Sequence, residues 1–119
     1  MLTRPSTGLT VMVDTMKAAA ESSRLRILLL LARGDLTVTD LTEILAQSQP
    51  RVSRHLKLLM EAHLVERYQE GSWAFFRLSD SEAERDFLAG IIGRVDPADP
   101  VVERDLERLA AVKRKRQER

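Results

Sequence analysis

Apolar residues recur every three or four positions through the first half of the chain, which is the spacing of one helix face. This pattern predicts a helix over residues 10–21 and a second helix that Gly34 ends. A short third helix is predicted from Thr37 or Val38, and a fourth helix over about residues 49–62. The order is therefore helix, helix, short helix and helix before the pattern changes.

The second predicted helix is apolar nearly all round over residues 25–31, which indicates a place in the middle of the core. Ser22 or Ser23 is expected to cap its first turn, because a short hydroxyl side chain can accept a bond from an unpaired N–H group there. Ser48 or Gln49 is expected to cap the fourth helix for the same reason.

After residue 63 the spacing of apolar residues changes from helical to alternating. Residues 64–69 and 73–78 alternate on either side of a turn that contains Gly71, and this order is typical of a β-hairpin. The hairpin holds all but one of the five aromatic residues, which suits strands. We expect Trp73 and Phe75 to pack against a neighbouring helix.

Another helix is predicted after the hairpin, with Ser79 or Ser81 opening it in a capping box. Two prolines in residues 96–100 forbid a continuous helix and mark a linker. A last helix is predicted from about Val101. We expect the basic block 113–116 to be a disordered solubilising tail rather than a contact with nucleic acid.

A short helix, a tight turn and a helix with a basic outer face form a helix–turn–helix, whose second helix enters the major groove of DNA. The hairpin that follows corresponds to a wing. The sequence therefore predicts a mainly α fold with a small β-hairpin (α+β), a winged helix–turn–helix. We divide it into a flexible N-terminal arm (1–9), a DNA-binding and dimerisation domain (10–95), and a linker with a basic C-terminal helix (96–119).

The local charge of the fourth helix points to nucleic acid. The formal net charge of the chain is only +1, but the charged side chains in the first half of this helix are all basic. Arg51 and Arg54 are expected to contact guanine edges or phosphates, and Gln49 is expected either to pair with an adenine or only to cap the helix. Lys57 and His55 are expected to contact phosphates. The full set of expected DNA-binding residues is Gln49, Arg51, Ser53, Arg54, His55, Lys57, Ser72 and Arg77.

Two stretches carry a likeness to a known family: KAAAESSRLRILLLL, and QPRVSRHLKLL in the fourth helix. With the hairpin, they make residues 16–79 resemble the ArsR/SmtB family of winged-helix regulators. The resemblance implies a homodimeric repressor that binds an inverted-repeat operator and releases it when an effector binds. It also implies a dimer interface made by the first and last helices. The candidates are Val13, Met16, Leu88, Ile91 and Ile92. Met16, Leu88, Ile91 and Ile92 fit either the core of the protomer or the interface, and the large apolar surface of the outer helices favours some burial between two copies.

Departures from the family pattern bear on the effector. Metal-sensing members have cysteines in the third helix, whereas Thr37 and Thr39 stand at those places here and the chain has no cysteine. Neutral hydroxyls are poor ligands for soft metals, so we expect no metal and no other cofactor. The family usually has glycine where this chain has His63, which predicts a mildly strained backbone. The last helix resembles the connector of a subgroup fused to a methyltransferase-like domain.

Two other classes of function fit the sequence less well. An enzyme would need a catalytic set, but there is no cysteine, both histidines lie in or beside the basic helix, and no glycine-rich nucleotide motif is present. A winged-helix module that binds only proteins would not require the basic cluster. We expect a cytoplasmic protein, with double-stranded DNA, a second copy of itself and an unidentified small-molecule effector as candidate partners, and no membrane association.

Overall fold

The computed structural model describes residues 7–117, which form six helices and one antiparallel hairpin. The elements are α1 Leu9–Ala19, α2 Ser22–Leu31, α3 Val38–Leu45, α4 Gln49–Glu61, β1 Val65–Glu70, β2 Trp73–Leu78, α5 Glu82–Ile92 and α6 Pro100–Gln117. This is the predicted winged helix–turn–helix. Most of the predicted N-terminal arm (1–9) lies outside the described residues, and Leu9 already belongs to α1.

The core lies between α2, α3 and α4, with the hairpin, α5 and α6 packed around it. Ile27 and Leu28 of α2 are fully buried, as expected for a helix that is apolar nearly all round. The buried apolar side chains of the described residues are Ala19, Ile27, Leu28, Leu30, Leu31, Leu36, Leu41, Ile44, Leu45, Val52, Leu56, Leu59, Leu64, Val65, Phe76, Leu88, Leu109 and Val112. Each fully buried large aliphatic side chain contributes about 1.5–3 kcal/mol.

Local hydrogen bonds define the helix–turn–helix. The Thr37 hydroxyl accepts from the Asp40 N–H at 3.1 Å, and the Asp40 carboxylate accepts from the Thr37 N–H at 3.0 Å. This capping box starts α3, and the C-cap of that helix, Ala46, lies in the left-handed region with φ 55°. Ser48 then accepts from the N–H of Arg51 at 3.4 Å and starts α4, as predicted.

Two other expected caps differ from the prediction, one in its residue and one in its hydrogen bonds. The N-cap of α2 is Glu21, whose carboxylate accepts from the Arg24 N–H at 3.0 Å, rather than Ser22 or Ser23. A carboxylate suits this place because the N-terminus of a helix favours negative charge. Ser81 is the N-cap of α5, but its hydroxyl contacts the Glu84 side chain and caps no backbone N–H group.

The hairpin is attached to the start of the helix–turn–helix by backbone hydrogen bonds. The Leu36 N–H donates to the Phe76 carbonyl at 3.1 Å, and the Phe76 N–H donates to the Leu36 carbonyl at 2.8 Å. Both side chains are buried, with exposures of 0% and 5%. The wing therefore has a fixed position relative to the N-terminus of α3.

The basic C-terminal block is helical, so the expected disordered tail is wrong for the residues that the structure describes. α6 packs along α2 and α3. The Arg26 guanidinium donates to both carboxylate oxygens of Asp105, at 2.8 and 2.9 Å. Farther along, the Lys113 ammonium donates to the Arg33 carbonyl at 3.1 Å. Long-range contacts thus hold a segment that looks solvated from its composition.

His63 has the positive φ that the sequence predicted, at 60°. Its N–H donates to the Met60 carbonyl at 2.9 Å, and the Leu64 N–H donates to the Leu59 carbonyl at 3.0 Å. This is the Schellman pattern, in which glycine is preferred because it lacks a Cβ. Replacing His63 by glycine is expected to raise the free energy of unfolding by about 0.5–1 kcal/mol, measured by urea denaturation.

The preceding residue supplies the control for this prediction. Ala62 is the C-cap of α4 with φ −86°, which any residue adopts easily. Ala62→Gly should therefore lower stability, since it only adds freedom to the unfolded chain. Destabilisation by both substitutions would show that His63 is not strained.

Candidate nucleic-acid interface

Three basic side chains form an exposed ridge on α4, which we call the basic ridge: Arg51, Arg54 and Lys57. They follow one another at intervals of three residues and are exposed, whereas Val52 and Leu56 are buried on the opposite side of the helix. The N-terminal half of the second helix of the pair thus presents cations to solvent. The residue pattern predicted this orientation correctly.

Gln49 and Ser53 lie on the side of α4 that faces the hairpin. Together with Arg67 and Trp73 they line a cleft of about 440 Å³ between helix and wing. Arg67 was not among the expected site residues. The alternating pattern of the hairpin could have identified it. Arg67 pairs with the buried Phe76, and directly paired residues lie on the same face of the hairpin, so Arg67 lies on the face turned toward the domain.

His55 lies apart from the basic ridge, although the sequence grouped it there. Its side chain is 14% exposed, and its Nδ1 lies 3.3 Å from an Arg24 guanidinium nitrogen and 3.7 Å from a Glu21 carboxylate oxygen. Because a guanidinium can only donate, Nδ1 acts as the acceptor and the neutral ring carries its proton on Nε2. This contact forms because the fold brings α4 close to the start of α2, and the spacing of residues within α4 does not reveal it.

Burial lowers the pKa of His55 from the usual value of 6.5, because the imidazolium loses solvation. Nearby arginines lower it further, and the Glu21 carboxylate opposes them. Just below pH 6.5 the unfolded chain therefore binds more protons than the folded one, so stability is lost as the pH falls through this range.

The free energy of unfolding should accordingly decrease between about pH 7.5 and about pH 5.5, and it should decrease less in His55→Gln. Urea denaturation of both proteins at the two pH values measures this difference. If the free energy of unfolding has the same pH dependence in both proteins, the lowered pKa of His55 is not the cause of the loss of stability.

The two expected wing residues are far apart along the hairpin. Ser72 is exposed in the turn, next to Gly71 with φ 61°. Arg77 lies near the other end of β2, where its guanidinium is 3.6 Å from a Glu66 carboxylate oxygen and 4.9 Å from the Tyr68 ring centroid. A phosphate contact by Arg77 would therefore compete with partners of its own chain.

Trp73 does not pack as expected. Its side chain is 52% exposed at the beginning of β2, whereas Phe75 is half-buried and stacks on Tyr68 with a centroid distance of 5.6 Å. The hairpin thus leaves an indole ring accessible to solvent beside α4.

The five candidate dimer residues fall into two groups. Val13 and Met16 are 40% and 54% exposed on α1, next to the more exposed Leu9 and Val11. Leu88 is only 2% exposed, so its assignment to a dimer interface is corrected: it belongs to the core of the protomer. The remaining candidates, Ile91 and Ile92, are half-buried against that core.

Within residues 7–117, no group of three or more histidine, cysteine, aspartate or glutamate side chains is arranged to hold a metal ion. None of the helices in this range combines the length and the apolar character needed to cross a bilayer.

The helix pair, its exposed basic second helix and the adjoining hairpin define a winged helix–turn–helix protein. The family model described as "Bacterial regulatory protein, arsR family" matches residues 21–67. The chain is 46% identical over 68 residues to the arsenical resistance operon repressor of Escherichia coli (strain K12), covering 56% of this chain and 58% of that protein. It is 32% identical to the transcriptional repressor SdpR of Bacillus subtilis, over 57% of this chain and 76% of that protein.

A solved structure agrees with these relatives. The homodimeric winged helix–turn–helix DNA-binding domain of Mb0332 from Mycobacterium bovis matches with a TM-score of 0.63 and 29% identity, over 71% of this chain and 80% of that chain. The chain belongs to the arsR family of bacterial regulatory proteins. It spans 49% to 64% of the length of the first three arsenical-resistance regulators that it matches. These comparisons support the family and not the methyltransferase-fused subgroup.

Proposed function

We propose that this chain is a sequence-specific DNA-binding transcriptional regulator, a homodimeric repressor of an inverted-repeat operator. The observation that carries the proposal is the basic ridge, exposed on the second helix of a helix–turn–helix and flanked by the wing. In this geometry the second helix enters the major groove, where guanidinium groups bind guanine edges with two hydrogen bonds. Such a protein acts in the cytoplasm, where bacterial DNA lies.

The individual side chains have different tasks in this proposal. Arg51 and Arg54 contact base edges, and Lys57, farther along the helix, contacts a phosphate. Gln49 is placed at the start of α4, where its amide can pair with an adenine, and Ser53 lies beside the same cleft. The turn of the hairpin, with Ser72 at its tip, contacts the DNA backbone.

Two side chains contribute less directly. His55 retains Nε2–H as a donor for a phosphate, since Nδ1 is turned toward Arg24. Arg77 contacts a phosphate only after it leaves Glu66. The contributions of both residues stay predictions.

A second copy of the chain is the proposed partner of α1. Leu9, Val11, Val13 and Met16 present apolar surface there, with exposures of 82%, 55%, 40% and 54%. Exposed apolar surface of this kind favours association, and a two-fold dimer presents its recognition helices about one turn of DNA apart. The Mycobacterium bovis domain is homodimeric, which supports association of this chain with a second copy.

Selection from a library of genomic fragments tests the proposal. The purified protein is incubated with the library at low and at moderate salt, and the retained fragments are sequenced. We expect an inverted repeat to be enriched and its affinity to fall steeply as the salt concentration rises, because phosphate contacts release counterions.

The other outcomes of this selection are equally informative. Equal retention of all fragments would show that the protein binds DNA through a non-specific basic surface, without reading a sequence. Retention of none at either salt concentration would overturn the proposal and favour a winged-helix module that binds proteins.

A further inference from the structure

The face of the hairpin opposite to the one that carries the buried Phe76 holds an aromatic cluster. Register places Tyr68 opposite Phe75 and Glu70 opposite Trp73 on this face, while Phe76 points into the core. We call the three rings of Tyr68, Phe75 and Trp73 the outer aromatic cluster. Two of these rings, Tyr68 and Phe75, are half-buried, and the third, Trp73, is exposed.

Two of these rings already bind guanidinium groups of the same chain. The Arg77 guanidinium carbon lies 4.9 Å from the Tyr68 ring centroid, and that of Arg116 lies 5.7 Å from the Phe75 ring centroid. Cations within about 6 Å of a ring centroid are attracted by the negative face of the ring, and indole is the strongest such partner. Trp73, the third ring, is 52% exposed.

A cleft of about 350 Å³ opens between this cluster, the N-terminus of α3 and the end of α6. Its walls are formed by Thr37, Thr39, Asp40, Trp73, Phe75 and Arg116. The Asp40 side chain is only 15% exposed and pairs with the Arg116 guanidinium. Aromatic walls, one carboxylate and a volume of this size suit a small ligand.

The geometry points to a binding site for a small planar organic cation, such as an amidinium or guanidinium compound, in this cleft. The cation would stack on Trp73 or Phe75 and pair with the Asp40 carboxylate, which are the two kinds of contact that Arg116 makes now. Arg116 is thus a competitor supplied by the chain itself.

The surroundings favour a cation over an anion. The face of each aromatic ring carries negative potential and repels an anion. Glu70, the direct cross-strand neighbour of Trp73, adds a second carboxylate on the same face of the wing. An anion would reach Arg116 only by approaching Asp40 as well.

A regulatory consequence would rest on the proposed DNA-binding function. Asp40 also closes the capping box of α3 through the Thr37 N–H, so a cation that takes Asp40 from Arg116 acts at the junction of α3, the wing and α6. Binding itself is independent of DNA, and the following test uses the DNA-free protein.

The experiment follows the indole N–H signal in a ¹H–¹⁵N spectrum, which belongs to Trp73 because the chain has a single tryptophan. The full chain is titrated at constant ionic strength with benzamidinium, neutral benzamide and benzoate. We expect a saturable shift with benzamidinium and at least about tenfold weaker binding of the other two compounds. The proposal fails if benzamidinium gives no saturable shift, or if benzamide or benzoate binds equally well.

Variants identify the site within the chain. Arg116→Ala is expected to tighten benzamidinium binding by about 3- to 10-fold, because it removes the competing cation. Arg114→Ala is the matched control, since it removes the same charge from an exposed position on the same turn of α6. Asp40→Asn should weaken binding by about tenfold.

Tightening is the decisive outcome, because a damaged fold cannot produce it. The site is placed wrongly if Arg116→Ala binds benzamidinium no more tightly than Arg114→Ala. If the protein binds benzamidinium but selects no operator, the cation site is supported and the proposed DNA-binding function is overturned. If it selects an operator but does not bind benzamidinium, the DNA-binding function is supported and the cation site is overturned.

Discussion

Replacing Arg51 and Arg54 together by alanine is expected to weaken binding to the selected operator by about 100-fold or more. Each guanidinium that binds a base edge with two hydrogen bonds contributes about 1–3 kcal/mol of discrimination, and about 1.4 kcal/mol corresponds to a factor of ten. Both side chains are exposed, so their removal leaves the core of α4 intact. Fluorescence anisotropy with labelled operator DNA measures the change.

The control removes the same charge elsewhere. Arg94 and Arg104 are exposed and lie outside the helix–turn–helix and the wing. Their double replacement by alanine changes the net charge equally and should alter operator affinity by less than about threefold, because only charges close to the phosphates release counterions. Equal losses from both double variants would show that overall charge, and not the basic ridge, determines DNA binding.

Binding to unrelated DNA separates reading of bases from attraction to phosphates. If Arg51 and Arg54 contact bases, the double variant should lose most of its preference for the operator over unrelated DNA. A uniform loss on both DNAs, with a smaller salt dependence, would assign these residues to phosphates instead.

The sequence predicted the order of elements well because the signals involved are local. A continuous apolar segment, a capping hydroxyl before Gln49 and an alternating pattern around Gly71 each act over a few residues. The exposed position of the basic ridge follows in the same way, since helical geometry turns these side chains away from Val52 and Leu56.

The residues whose environment differs from the sequence-based expectation are placed by contacts between segments that are distant in the chain. Trp73 is exposed, although it was expected to pack against a helix, and Leu88 lies in the core of the protomer rather than at a dimer interface. His55 packs against the start of α2, thirty-one residues away from Arg24. The basic end of α6 looks like a solvated tail in composition but pairs with Asp40 of α3. Helical or alternating spacing carries no information on such pairs.

Removing the Asp105 carboxylate is expected to lower the free energy of unfolding by about 3–5 kcal/mol. Arg26 and Asp105 form a two-bond ion pair between α2 and α6, with side-chain exposures of 14% and 5%. The hydrogen bond to Asp105 raises the pKa of Arg26, so the guanidinium stays charged at every accessible pH. Asp105→Ala would leave this charge buried without its partner. Urea denaturation followed by far-ultraviolet circular dichroism measures the loss.

Two comparisons separate the cost of an unpaired charge from the value of the pair. Asp80→Ala breaks the exposed Arg85–Asp80 pair, with exposures of 68% and 86%, and should cost less than about 1 kcal/mol. The double variant Arg26→Met with Asp105→Leu should recover most of the stability lost in Asp105→Ala, because apolar side chains of similar volume need no solvation. If Asp105→Ala lowers the free energy of unfolding by less than about 1 kcal/mol, water reaches the Arg26 guanidinium easily. In that case α6 is held on α2 mainly by Leu109 and Val112, and the basic end of α6 could leave α3 without unfolding the domain.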